Sequence, residues 1–155
     1  DIARRVIDAV KPKHTKFTFE IMPYNFLDSA ESYLKFLKAV DRKEAGVHLD
    51  PVNLINSPRT YFDNARLTEE SFKILGPYIV SCHAKDIIIQ PDPPNTHLDE
   101  VRPGLGMMDY RVFLKCAASL PNDVPIMMEH LPNQEEYALG RDYIKTVAAE
   151  MDISI

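Results

Sequence analysis

The sequence predicts an α/β fold in which parallel β-strands alternate with helices, in about four βα units. Two observations carry this prediction. Short apolar runs rich in Phe, Ile and Val recur along the chain, and a segment with helical apolar spacing follows each of them. Such alternation is typical of a parallel sheet covered by helices. The predicted strands lie at about residues 16–22, 45–50, 78–84 and 124–129.

Helix starts are predicted from residues that cap a first turn. An opening helix covers residues 1–10, and four more helices follow the strands. The predicted caps, in chain order, are Asp28 with Glu31, Thr68, Asp109, and Asn133 with Glu136. The run from Ile87 to Gly106 is expected to be irregular, because it contains several prolines and lacks periodicity. Loops of this length are usually functional or disordered.

Composition narrows the class of protein. With 155 residues, 45% of them hydrophobic, the chain suffices for one globular core, so we expect a single domain over residues 1–155. A net charge of -5 without basic clusters argues against nucleic acid as a partner. Apolar stretches are too short for a membrane span. Cys82 and Cys116 lack metal-site spacing and suit a reduced, cytoplasmic protein.

Four polar side chains stand at the ends of the four predicted strands. They are Glu20, Asp50, His83 and Glu129. Ligands lie at the carboxyl ends of parallel strands, and three carboxylates with one imidazole form a donor set for a divalent metal. Taken singly, each has an ordinary alternative, namely a helix cap, a solvated loop residue or a core histidine. Their equivalent places in successive units favour a metal site.

An octahedral ion at this site would keep open positions for two neighbouring oxygens of a sugar. Mn²⁺ or Mg²⁺ suits the oxygen-rich donor set best, and Co²⁺ or Zn²⁺ also fits. Such a metal would polarise a carbonyl and stabilise an enediolate. Glu20 and Glu129 are the candidates for proton transfer, and on opposite faces of a substrate they would invert a stereocentre.

Three further residues are candidates for substrate binding. Lys85, beside Asp86, forms either a surface ion pair or a substrate contact. Arg102 either binds a phosphate or hydroxyls, or has a structural role. Asn53 either caps the turn after Asp50 or reaches a substrate hydroxyl.

The stretches FTFEIMPY, GVHLDPVNL, SCHAKD with PGLGMMDY, and PIMMEHL resemble the xylose isomerase-like TIM-barrel superfamily. The resemblance is to its sugar phosphate isomerase/epimerase group, which includes ketose 3-epimerases and the inosose dehydratase type. It implies a metal held by Glu20, Asp50, His83 and Glu129, with the two glutamates as acid and base on a bound sugar. Asn53 stands where the group's epimerases often have a histidine.

The resemblance also implies a second half of a (β/α)8 barrel, since such barrels take about 250 residues. Because an open half barrel leaves strand edges unpaired, we expect either a homo-oligomer or pairing with a missing N-terminal half barrel. Two other functions remain open. One is a metal-dependent apurinic-site endonuclease of the same superfamily, which would require more ligands and a basic groove. The other is a non-catalytic half-barrel fragment.

Overall fold

A parallel four-stranded sheet with helices packed on one face forms the centre of the protein, in a computed structural model that describes residues 1–91 and 95–155. The predicted α/β class is therefore confirmed. The strands of this sheet are β1 (Phe17–Glu20), β2 (Ala45–Leu49), β3 (Ile79–His83) and β6 (Ile126–Met127), in the order β1-β2-β3-β6. A separate antiparallel hairpin consists of β4 (Asp86–Ile89) and β5 (Leu98–Val101).

The helices follow the strands in the predicted alternation. They are α1 (Ile2–Val10), α2 (Ala30–Val40), α3 (Pro58–Phe62), α4 (Asn64–Leu75), α5 (Tyr110–Ala118) and α6 (Gln134–Ala149), with short 3₁₀ turns at Val52–Leu54 and Gly76–Tyr78. Asp109 and Asn133 cap α5 and α6 as predicted, because their side chains accept from the N–H groups of Val112 and Glu136. No helix in the described residues is long and apolar enough to cross a membrane.

Alternation along the strands separates the core from the site. Val47, Leu49 and Cys82 are fully buried against the helices, where they join one core with residues such as Tyr33 and Phe113. The intervening residues of the same strands point to the opposite face. The carboxyl ends of all four strands meet at one end of that face, because every pairing in the sheet is parallel.

Two predicted helix starts were wrong. Helix α2 is capped by Ser29, whose hydroxyl accepts from Ser32 N–H in a reciprocal capping box one residue after the predicted pair. Thr68 does not start a helix but lies 1% exposed inside α4. The missed signal was Ser57-Pro58, since proline is favoured in a first turn and Ser57 caps α3 directly before α4.

The prediction of an irregular segment from Ile87 to Gly106 was also wrong in part. Residues 86–89 and 98–101 pair as the β4–β5 hairpin, and the middle of the predicted loop, residues 92–94, lies outside the described residues. Strand β6 is shorter than predicted. Pro125 has no N–H to donate to the ladder, although its carbonyl accepts from Cys82 N–H at 3.0 Å.

Candidate metal centre

The four predicted ligands converge at the carboxyl end of the sheet. Glu20 ends β1, Asp50 follows β2, His83 ends β3 and Glu129 lies two residues beyond β6. One donor atom from each lies within 4.8 Å of the others. His83 Nδ1 is 3.1 Å from Glu20 Oε1, 3.4 Å from Asp50 Oδ2 and 3.2 Å from Glu129 Oε1. The structure thus brings together all four side chains that the sequence selected.

The two carboxylate oxygens of Asp50 have different surroundings. Its Oδ1 accepts from the N–H groups of Val52 and Asn53, at 3.0 and 3.2 Å, which starts the 3₁₀ turn after β2. Its Oδ2 faces the other ligands. Asp50 is fully buried, and neither Asp50 Oδ2 nor Glu129 Oε1 accepts a hydrogen bond of normal geometry in the described residues. Buried carboxylate oxygens of this kind are expected to lie beside a cation, and the ammonium of Lys85 is 3.1 Å from Asp50 Oδ2 and 2.5 Å from Glu129 Oε1.

Charges in the cluster shift several pKa values. Burial acts to raise the pKa of Asp50, but the contact with His83 and the charge of Lys85 outweigh it and hold the pKa below its ordinary value. The contact with Asp50 likewise raises the pKa of His83 against the effect of burial. His48, which packs edge-on against His83 at 4.0 Å between ring centroids, has its pKa lowered by burial and by His83.

Lys85 is not the surface residue that one prediction allowed. Its side chain is 3% exposed, and its ammonium lies 2.5 Å from Glu129 Oε1 and 3.1 Å from Asp50 Oδ2. Burial would lower its pKa, but Asp50, Glu129 and Glu100 together raise it. The ammonium therefore carries charge inside the carboxylate cluster, and the idea of an exposed ion pair with Asp86 was wrong.

The other two predicted substrate contacts differ in position. The Asn53 amide donates to Glu20 Oε1 at 2.9 Å, so Asn53 orients a proposed ligand. Arg102 pairs instead with Glu136 at the start of α6, at 2.8 Å, and also donates to the carbonyl of Pro103. No ligand of the cluster is among the polar contacts of Arg102 in the described part of the chain.

Sequence reasoning missed Glu100 and His130 at this site. Glu100 lies on β5 and approaches Lys85 Nζ to 3.4 Å. His130 adopts a left-handed backbone conformation (φ 58°), and its ring contacts Glu100 at 3.1 Å and Glu129 at 3.5 Å. The β-branched run at 87–89 was the available signal for the first strand of the hairpin, whereas Leu98–Val101, the strand that carries Glu100 to the cluster, contains two acidic residues and gave no such signal.

Asp86 fixes the loop that follows the hairpin. Its carboxylate is 1% exposed and accepts from the N–H groups of Ile87, Gly104, Gly106 and Met108, at 2.8–3.0 Å. A Cβ on Gly106 would lie 2.2 Å from Asp86 Oδ1, so only glycine permits this approach. The HAKD and PGLG segments therefore act as one unit beside the site.

An open cleft of about 1220 Å³ lies at the opposite, amino-terminal end of the sheet. Its lining includes Thr18 and Ser81, together with lysines of the α1–β1 connection, but none of the four ligands. The convergent carboxylates that could hold a metal lie at the carboxyl end instead.

Residues 2–147 match the family model of the xylose isomerase-like TIM barrel. A xylose isomerase domain protein from Planctomyces limnophilus has a TM-score of 0.70 and 18% identity, covering 96% of this chain and 50% of that one. A xylose isomerase-like TIM-barrel protein from Mycobacterium smegmatis, solved with magnesium, has a TM-score of 0.71 and 21% identity, with coverages of 95% and 48%.

D-psicose 3-epimerase from Clostridium cellulolyticum, solved with D-tagatose, has a TM-score of 0.62 and 15% identity, with coverages of 97% and 53%. This chain thus spans about half the length of these structures. At these identities the likeness shows a shared fold alone. No curated protein sequence gave a significant match.

Proposed function

The chain belongs to the xylose isomerase-like TIM-barrel family, and from this premise we propose that it binds a divalent metal and acts in the isomerisation or epimerisation of a sugar or sugar phosphate. Glu20, Asp50, His83 and Glu129 would hold the ion. Mn²⁺ and Mg²⁺ suit three carboxylates and one imidazole best, and Co²⁺ or Zn²⁺ also fits.

One observation carries the metal proposal: the donor atoms of the four residues, three of them carboxylate oxygens, lie within 4.8 Å of one another. Lys85 supplies one positive charge to four carboxylates, and a divalent cation would balance the negative charge that remains in the cluster. The magnesium complex of the M. smegmatis relative supports the same reading.

The two glutamates supply the acid and the base. Strands β1 and β6 are the two outer strands of the sheet. Glu20 ends β1 and Glu129 follows β6, so the two glutamates approach the cluster from opposite sides. One would accept the proton beside the sugar carbonyl and the other would return a proton, and return to the opposite face inverts the carbon. A bound divalent ion supplies the Lewis acid that stabilises the enediolate of the substrate.

Asn53 and Lys85 act on the ligands themselves. Asn53 holds Glu20 Oε1 through its amide, and Lys85 contacts Asp50 and Glu129. Asn53 therefore orients Glu20 toward the proposed metal, and Lys85 holds Asp50 and Glu129 close together. Arg102 remains our candidate for a substrate phosphate or hydroxyl only if it leaves Glu136, to which it is paired.

The partner proposals follow from the sheet. Strands β1 and β6 each pair on one side only in the described residues, so we propose that a second copy or another half barrel covers these edges. A stable monomer with both edges exposed, seen by light scattering, would contradict this. The net charge of -5 argues against a nucleic-acid partner, and buried Cys82 suits a reducing, cytoplasmic setting.

Activity is tested with the purified protein, Mn²⁺ and a panel of ketoses and their phosphates. We expect conversion of at least one sugar, and a loss of about 100-fold or more in Glu20→Gln, because the variant lacks a base. Glu31→Gln, an exposed change in α2, serves as the matched control. Conversion that survives Glu20→Gln would contradict the assigned role.

The endonuclease alternative is tested by cleavage of a duplex with an abasic site. It requires several more ligands, whereas the candidate ligand groups in the described residues all include Glu20 and His83 and so form one centre. Cleavage without sugar conversion would favour the endonuclease, and binding of metal without either activity would favour the non-catalytic fragment.

A further inference from the structure

The ammonium of Lys85 is surrounded by four carboxylates. Its Nζ lies 2.5 Å from Glu129 Oε1, 3.1 Å from Asp50 Oδ2, 3.4 Å from Glu100 Oε2 and 3.9 Å from Glu20 Oε1. The Lys85 side chain is 3% exposed, so water contributes little to its solvation. A buried ammonium this close to several carboxylates interacts far more strongly than a surface pair.

The nearest two of these oxygens are the same atoms that face the proposed metal. Asp50 Oδ2 and Glu129 Oε1 also lie beside His83 Nδ1. An ammonium at 2.5 Å from Glu129 Oε1 and a divalent ion bonded to that oxygen would repel each other strongly. The Lys85 ammonium therefore has to move away from Glu129 and pair with another carboxylate when the ion binds.

Glu100 provides the alternative partner. It lies on β5, outside the group of proposed ligands, and already approaches the ammonium. Tyr110 donates its hydroxyl to the carbonyl of Lys85 at 2.9 Å, which fixes the lysine backbone. The flexible side chain can then change partners without movement of the strand end.

We propose that Lys85 is an internal cation that holds the carboxylate cluster together before metal binding, and that it passes to Glu100 when a divalent ion enters. This inference rests on the proposed metal site. The lysine keeps Asp50 and Glu129 close before the ion binds, and it lowers the affinity because the ion must displace it.

The test measures Mn²⁺ affinity by titration calorimetry in the wild-type protein and in Lys85→Met, a change that keeps the length and removes the charge. We expect Lys85→Met to bind Mn²⁺ about tenfold or more tightly, because the displaced charge is absent. Its melting temperature in a chelator should fall, because the carboxylates then lack a counter-charge. Equal or weaker Mn²⁺ binding by a folded Lys85→Met would overturn the inference.

Glu100→Gln separates displacement from general electrostatics. We expect Glu100→Gln to weaken Mn²⁺ binding about fivefold when Lys85 is present. In the Lys85→Met background we expect an effect of less than about twofold, because there is then no displaced ammonium for Glu100 to bind. Asp99→Asn removes an equal charge from the same strand, where Asp99 contacts His97 rather than Lys85, and is the matched control. Equal effects of Glu100→Gln and Asp99→Asn would overturn the inference.

The same measurements distinguish this inference from the proposed function. Absence of Mn²⁺ binding in both the wild-type protein and Lys85→Met would overturn the metal site itself. Tight binding that is indifferent to Lys85 and Glu100 would leave the metal site standing and overturn the internal cation. If Lys85→Met does not fold, the comparison of Glu100→Gln with Asp99→Asn decides the question alone.

Discussion

Replacement of Asp86 by asparagine is expected to destabilise the protein strongly, although it changes one atom. The Asp86 carboxylate accepts four backbone N–H groups, two on each oxygen: Ile87 and Met108 on Oδ1, Gly104 and Gly106 on Oδ2. Asparagine keeps one acceptor oxygen and places an amide donor at the other. Two buried N–H groups would then face a donor.

The magnitude follows from these contacts. A hydrogen bond to a charged group contributes about 1.5–3 kcal/mol, so the loss of two costs about 3–6 kcal/mol. Burial of the carboxylate opposes this, since it raises the pKa of Asp86 despite its four donors, and the neutral amide is relieved of that cost. We therefore expect a net loss of about 2–4 kcal/mol in the free energy of unfolding.

Urea denaturation followed by far-UV circular dichroism measures this loss, because the chain contains no tryptophan. Asp109→Asn is the matched control, since Asp109 accepts one N–H at the start of α5 and asparagine caps helices equally well. A loss below about 1 kcal/mol in Asp86→Asn, or one equal to that of the control, would refute the anchoring role of Asp86.

Three further predictions concern metal, thiol and phenol chemistry. His83→Ala should weaken Mn²⁺ binding in calorimetry about tenfold or more, while the exposed His14→Ala should not; equal affinities would count against His83 as a ligand. Cys82 is fully buried, and burial raises the pKa of its thiol to about 12. We therefore expect mass spectrometry to find Cys82 unmodified by a thiol reagent at pH 8 as long as the protein is folded. Rapid labelling of the folded protein would contradict this. Burial raises the pKa of Tyr33 to about 12, whereas the phenol of the unfolded chain ionises near pH 10, so the free energy of unfolding should fall as the pH rises above about 10. Denaturant titrations should show a smaller fall in Tyr33→Phe. An identical pH profile in the wild-type protein and Tyr33→Phe would contradict the role of Tyr33.

Much of the fold followed from local pattern. Strand positions were predicted within a few residues because apolar runs in a parallel sheet are short and bounded by turn residues. The hairpin escaped prediction because prolines lie between its two strands and because its second strand, Leu98–Val101, contains two acidic residues. Thr68 misled because a threonine before two glutamates imitates a cap, whereas burial against the core decided its place.

Some residues of the candidate site could likewise be predicted from the sequence, and others could not. The four proposed ligands could be found because each ends a strand and parallel pairing brings strand ends together. Lys85 was singled out, but its burial could not be foreseen, since charge at a strand end is ordinarily solvated. Glu100 and His130 could not be found from spacing, because the hairpin and a left-handed turn bring them to the cluster.

Anomalous diffraction from crystals grown with Mn²⁺ tests the central claim most directly. We expect a single strong peak at the carboxyl end of the sheet, within bonding distance of Glu20, Asp50, His83 and Glu129. A peak elsewhere, or none at saturating Mn²⁺, would contradict the metal centre on which the proposed chemistry depends.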